Sequence, residues 1–289
     1  MPDHHRPSSR RHERRRALRH PLAALAAFVL TLSALGGFAQ PASSTVGHRA
    51  GPKPTVVLVH GAFADASGWN QVIGRLQAQG YPTLAPANPL RGVPTDTAYL
   101  KSVLATISGP IILVGHSYGG EVITNAATGN PNVKGLVYVA AFAPVEGEAS
   151  GQLAQMNPGS MLTPENLVFR QYPISDTVQG TDGYINPASF RKVFAADLPR
   201  STAALMAATQ RPAELATLMQ PSGPPAFATI PSWFVVARND NAIPAATQRF
   251  MAKRANAVKT IELKSSHVAM MSNPRSVTSL IVQAAKYQP

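Results

Sequence analysis

The apolar residues of this chain gather into short unbroken runs, and the stretches between the runs carry apolar side chains at helical spacing. Thr55 to Val59 (TVVLV), Ile111 to Val114 (IILV), Val133 to Ala140 (VKGLVYVA) and Ser232 to Ala237 (SWFVVA) are rich in β-branched and aromatic residues and show little alternation. That pattern predicts strands buried on both faces. Trp69 to Gln79 instead has Trp69, Val72, Ile73 and Leu76 on one helical face, with Gly80 after it as a C-terminal stop. Tyr81 to Ala85 reads as a further strand, Thr97 to Ile107 as a second helix and Glu121 to Ala127 as the start of a third. Thr247 to Ala255 is again helical, Val258 to Leu263 is the last strand, and about Pro274 to Lys286 is the final helix. Strands alternating with helices require a doubly wound, mostly parallel sheet of about six strands with helices on both faces.

The alternation breaks after Ala143. Residues 144–229 hold many prolines and glycines and several short amphipathic stretches, among them Ala188 to Ala196 and Ser201 to Thr209, with no clear strand. An insertion after the fourth strand of such a sheet lies above the strand C-termini, where ligands bind, and this one is expected to be a helical lid.

The segment ahead of the first strand changes how the charge is read. The chain of 289 residues carries a formal net charge of +12, yet seven arginines fall before residue 20, and residues 1–39 alone hold +5. An apolar run of 15 residues, Pro21 to Leu35, follows the arginines, and Gly37 and Ala39 supply the small residues a signal peptidase reads. Residues 1–39 therefore read as a signal peptide cleaved after Ala39, and the run is short for a membrane span of roughly 20 residues. The arginine pairs leave the general and twin-arginine export routes both open. Residues 40–54 (QPASSTVGHRAGPKP) read as a linker, and 55–289 as one folded domain. The mature chain keeps 19 basic and 12 acidic residues, scattered along it, which describes a solvated surface and not a nucleic-acid site. With no cysteine, an exported protein has no disulfide, and thiolate metal sites and cysteine nucleophiles are excluded.

The chemistry centres on Gly115-His116-Ser117-Tyr118-Gly119-Gly120, where a strand turns at once into a helix. This G-x-S-x-G arrangement is a nucleophile elbow: glycines permit the close backbone approach, and the strained serine points its Oγ outward. A serine needs a base, and the mature chain has four histidines. His48 lies in the linker; His60 ends the first strand and His116 precedes the serine, both read as packing or supporting residues. His267, in a loop just past the last strand, is the expected base. Asp240, just past the strand 232–237, is the carboxylate expected to orient it.

Val57-Leu58-Val59-His60-Gly61-Ala62-Phe63, Ser67-Gly68-Trp69, the elbow and Ser266-His267 together resemble the α/β-hydrolase branch of plant salicylate-type methyl esterases and hydroxynitrile lyases. The order Ser117, Asp240, His267 is also that family's order. The resemblance spans about residues 55–285. It implies a cofactor-free enzyme with no metal, and an oxyanion hole made by the backbone N–H of Tyr118 with that of Ala62 or Phe63. Gly61 and Val268 stand where the lyases have a threonine and a lysine, which disfavours cyanohydrin cleavage, and Ser117 disfavours the aspartate-dependent dehalogenases and epoxide hydrolases. The expected function is a secreted or periplasmic serine hydrolase of a small apolar ester or lactone, acting through an acyl-enzyme. A lyase-like activity and a non-catalytic ligand-binding protein of the same fold are the alternatives. Phe63, Tyr118, Phe142, Met156, Met161 and Leu162 are the expected pocket residues.

Overall fold

The computed structural model describes residues 52–288, so the expected signal peptide and all but the end of the expected linker lie outside the described residues. The chain enters the fold as β1 (Thr55–Val59), whose Val56 to Val59 are buried between flanking strands and covering helices. A 3₁₀ turn (Ala66–Trp69) leads into α1 (Asn70–Gln77), which turns Val72 and Leu76 onto the core. There follow β2 (Thr83–Leu84), α2 (Val93–Ala105), β3 (Ile111–Ser117), α3 (Tyr118–Ala126) and β4 (Val133–Ala141). The insert contains α4 (Ser150–Gln155), β5 (Leu167–Pro173), β6 (Gln179–Ile185), α5 (Pro187–Phe194), α6 (Arg200–Thr209) and β7 (Ala213–Glu214). The body resumes with β8 (Ser232–Ala237), α7 (Ala245–Arg254), β9 (Lys259–Leu263), α8 (Ala269–Ser272) and α9 (Pro274–Lys286).

The main sheet has six strands in the order β2-β1-β3-β4-β8-β9, all pairings parallel, as the alternation predicts. The second strand is shorter than the expected Tyr81 to Ala85. Only Thr83 and Leu84 pair, opposite Val56 and Val57, at a sheet edge where Pro82 and Pro86 have no N–H to give. The chain runs outward from β1 to β2 and then returns to the far side of β1, so the winding reverses between β1 and β3. Ligands of open α/β sheets bind at the carboxyl ends of the strands flanking such a reversal. Val59 pairs with Gly115 there, which sets His60-Gly61 beside Ser117.

The insert differs from the expected helical lid. β5 and β6 form an antiparallel hairpin with Leu167 opposite Ile185 and Pro173 opposite Gln179, and β7 adds to β6, giving a second sheet of three strands. The hairpin shows no alternation because β5 is mostly exposed. β6 (QGTDGYI) carries two glycines and an aspartate that weaken its strand signal. A Cβ at Gly180 would lie 2.5 Å from the Tyr172 ring, so that glycine makes room for an aromatic across the pair.

Candidate active site

Ser117 ends β3 with φ 54° and ψ −127°, a left-handed conformation that a non-glycine residue holds only where its surroundings fix it. Its neighbours do so by contact. A Cβ on Gly115 would fall 2.7 Å from the Gly119 carbonyl oxygen, and one on Gly119 would fall 2.5 Å from that of Val59. The Ser117 carbonyl also accepts the Phe142 N–H at 3.1 Å, tying the turn to the end of β4. The elbow is therefore as the spacing predicts, although β3 continues through Ser117 rather than stopping at Val114.

The structure brings Asp240 and His267 together from separate loops. His267 Nδ1 donates to Asp240 Oδ2 at 2.7 Å, with both side chains buried. Asp240 is itself held: Oδ1 accepts the backbone N–H groups of Ala242 (2.7 Å) and Ile243 (3.0 Å), and Oδ2 accepts Gln248 Nε2 at 2.8 Å. Four donors converge on one carboxylate. This leaves His267 Nε2 as the free end of the imidazole; it is buried and has no hydrogen-bond partner among the described residues. A hydroxyl on a strained elbow, an imidazole with one free nitrogen and a buried carboxylate behind it can together deprotonate the hydroxyl and stabilise the imidazolium that results. No hydrogen bond joins Ser117 Oγ to His267 Nε2 among the described residues; catalytic hydrogen bonds of this kind are often long before a substrate is bound.

Two of the three expected oxyanion donors are free. The N–H groups of Ala62 and Tyr118 donate to no acceptor among the described residues, whereas the Phe63 N–H donates to the Arg211 carbonyl of the insert at 3.0 Å. Phe63 adopts φ 59° where its N–H meets that carbonyl. The side chain of Tyr118 does not face a pocket as expected: its hydroxyl donates to buried Asp96 Oδ2 at 2.9 Å. Burial raises the pKa of both groups, so the hydroxyl stays protonated and donating. The remaining histidines support backbone. His60, its pKa lowered chiefly by burial, accepts the Asn88 N–H on Nε2 at 2.9 Å. His116 lies against His267, with ring centroids 4.6 Å apart.

The insert covers the site, leaving Ser117 only 6% exposed and His267 fully buried. Phe194 of α5 packs edge-on against the His267 ring at 4.8 Å. Asp197, just beyond it, accepts the Ser266 N–H at 3.0 Å and the Ser266 hydroxyl. Neither residue was marked by any motif, because both act from an insert whose path the sequence pattern does not reveal. A hollow of about 20 Å³, lined by Phe63, Met206, Gln210, Val268, Met270 and Met271, lies where the insert meets the body. Of the expected pocket residues only Phe63 lines it; Met156 is 44% exposed, Phe142 is core, and Met161 and Leu162 pack against the core from the insert. Such a hollow has room for about one water, against roughly 300 Å³ or more for a ligand pocket. Among the described residues no three His, Asp or Glu side chains gather as a metal site would need.

Comparison with known proteins places the fold in a family. The family described as "Alpha/beta hydrolase family" matches residues 56–279. A pyrethroid hydrolase of Sphingobium wenxiniae is 28% identical over 255 residues, covering 80% of this chain and 87% of that protein. Methylesterase 1 of Arabidopsis thaliana is 25% identical over 256 residues, covering 81% and 96%. The crystal structure of polyneuridine aldehyde esterase superimposes with a TM-score of 0.70 at 19% identity, over 81% of this chain and all of that one, a likeness of fold.

Proposed function

The chain belongs to the alpha/beta hydrolase family, and from that premise we propose that it is a serine hydrolase of carboxylic esters, exported from the cell, that works through an acyl-enzyme. The observation that carries this reading is the buried 2.7 Å contact between His267 Nδ1 and Asp240 Oδ2, beside a serine strained onto an elbow. Ser117 Oγ attacks the ester carbonyl carbon while His267 Nε2 takes its proton, and Asp240 stabilises the imidazolium. The N–H groups of Ala62 and Tyr118 receive the oxyanion; Phe63 is left out because its N–H is already bonded to Arg211. Collapse of the tetrahedral adduct expels the alcohol, which takes the proton back from His267. Water then repeats the sequence on the acyl-Ser117 ester and releases the acid. Every proton moves between side chains of this chain and the reactants, so no cofactor is required.

The insert serves as the lid in this reading, since a hollow of about 20 Å³ admits no ester until Met206 and Gln210 separate from Met270 and Met271. Phe63, Val268 and the three methionines supply the apolar part of that lining, with Gln210 and Asp65 as polar groups at it, and methionine adapts its shape to what it contacts. The relatives named for pyrethroid and methyl ester chemistry support the same substrate class, esters of small apolar acids or alcohols.

The test is hydrolysis of p-nitrophenyl esters of rising acyl length by the mature protein, with a lactone and an amide alongside. Ester turnover is expected, together with stoichiometric labelling of Ser117 by a serine-directed phosphonate. Ser117→Ala should lose at least about 10⁴-fold in kcat while the fold is kept. An active enzyme whose label maps away from Ser117, or a Ser117→Ala variant with wild-type turnover, would falsify the mechanism.

A further inference from the structure

His116, the residue immediately before Ser117, is fully buried and has no part in the steps above. Its Nε2 lies 3.1 Å from the backbone carbonyl oxygen of His267. A carbonyl oxygen only accepts, so Nε2 carries a proton; Nδ1 is buried with no partner among the described residues, where a second N–H and its charge would go unpaired, which favours the neutral ring. Burial, and next the proximity of His267, push its pKa well below that of an ordinary imidazole, in keeping with that tautomer. The His116 and His267 rings lie 4.6 Å apart with planes tilted by 51°. Phe194 meets both edge-on, at 6.0 Å and 4.8 Å, and Trp69 meets His116 edge-on at 6.4 Å.

His267 stands in the loop between β9 and α8, where no ladder or helix fixes its backbone. Its bond to Asp240 sets the position of Nδ1, and the direction in which Nε2 points depends also on the backbone that carries the ring and on the rings packed against it. The loop is tied at Ser265, whose carbonyl accepts the Asn239 N–H at 3.0 Å, and at Ser266 by Asp197. At His267 itself the tie is the His116 bond. His116 in turn is set by β3, where it pairs with Val139 of β4. We infer that His116 is a positioning residue for the base: its Nε2–H bond to the His267 carbonyl and its ring contact fix the distance from His267 Nε2 to Ser117 Oγ. Nucleophile and base are then registered through adjacent residues of one rigid strand. A neutral partner is required, because His267 becomes an imidazolium during each proton transfer and a second cation in contact would oppose it.

The inference rests on the proposed role of His267 as base. The experiment compares His116→Leu, which removes the donor, with His116→Gln, whose amide N–H reaches a similar position. Steady-state kinetics on p-nitrophenyl acetate are paired with NMR of ¹⁵N-labelled histidine. His116→Leu should lower kcat by about 10- to 100-fold with KM within about twofold, the signature of lost alignment rather than lost binding. His116→Gln should return to within about fivefold of wild type. The His267 ring should give one sharp set of resonances in wild type and in His116→Gln, and broadened or multiple sets in His116→Leu. If the leucine variant does not fold, His116→Phe takes its place, keeping a ring without a donor. Wild-type kcat in the variant lacking the donor, an effect on KM alone, or a glutamine variant no better than leucine overturns the inference. Should the wild-type protein hydrolyse no ester, the esterase reading fails separately and the NMR decides: a single sharp His267 set without the donor would refute the positioning role, and a broadened set would sustain it.

Discussion

Asp240 shows how much a single side chain can be asked to do. One oxygen caps the turn that follows β8 through the Ala242 and Ile243 N–H groups, and the other faces both Gln248 and His267. A carboxylate held by four donors has no freedom to follow a moving imidazole, so the imidazole is oriented by the carboxylate. Asp240→Asn keeps the shape and the Ala242 and Ile243 bonds, but it can present an N–H to His267 Nδ1 and so turn the wrong nitrogen toward Ser117. Turnover of p-nitrophenyl acetate should fall by roughly 10⁴-fold with the melting temperature changed little, the size of loss seen when a serine hydrolase's histidine is held in the wrong tautomer. Activity within about twofold of wild type would move the orienting acid elsewhere. Ser117, His267 and Asp240 were readable because each follows a predicted strand at the carboxyl edge of the sheet. Asp197 and Phe194 carried no such mark, since nothing local to them indicates that they will reach the His267 loop.

The elbow helix α3 joins that chemistry to the insert. Glu121 in its first turn is completely buried, its Oε1 has no partner among the described residues, and its Oε2 accepts the Ser150 hydroxyl at the start of α4. Burial pushes the Glu121 carboxyl up to about 8, with the Ser150 bond opposing and the Glu148 charge adding. Since the folded-state pKa lies above that of an unfolded glutamate, the native state holds a proton the unfolded chain has released, and stability falls as pH rises through that interval. The contribution is fully present below about pH 4.5 and gone above about pH 8. Glu148 opposes this: burial would raise its pKa, but the Arg254 hydrogen bonds and charge bring it below the ordinary value. The difference between wild type and Glu121→Gln isolates the Glu121 part. Thermal melts from pH 5 to pH 8 should show the variant gaining on wild type as pH rises; parallel curves would mean that Glu121 is ionised in the fold throughout.

At the scale of the whole molecule the insert is tied to the body at many points, among them Arg91 with Asp182 at 2.6 Å, Glu214 N–H on the Leu90 carbonyl at 3.0 Å, Phe63 on Arg211, Ser266 on Asp197, and Arg254 with Glu148. A partly exposed ion pair such as Arg91 with Asp182 contributes about 1 kcal/mol or less, so the insert is held by the sum of these contacts and not by any one of them. Export is a property of the whole chain too, and the proposed cleavage after Ala39 is checked by N-terminal sequencing of the exported protein. A start at or near Gln40 is expected, whereas an intact Met1 on a membrane-bound or intracellular form would remove the proposal. The sequence by itself determined the six-strand parallel sheet and the loops that end at Ser117, Asp240 and His267. Those features are local: unbroken β-branched runs need burial on both faces, and an elbow needs its glycines wherever it occurs. It also determined that the base and the acid lie at one edge of the sheet, since each directly follows a strand. Only the tertiary structure decided that the insert carries a β-hairpin, because β5 and β6 are held by pairing with each other and by β7, not by a buried face that would leave a pattern. It alone chose Ala62 over Phe63 as the free donor, through a carbonyl 148 positions away in the chain, and turned Tyr118 from the pocket toward Asp96. Contacts between distant segments depend on where the chain returns, and no periodicity within either segment records that.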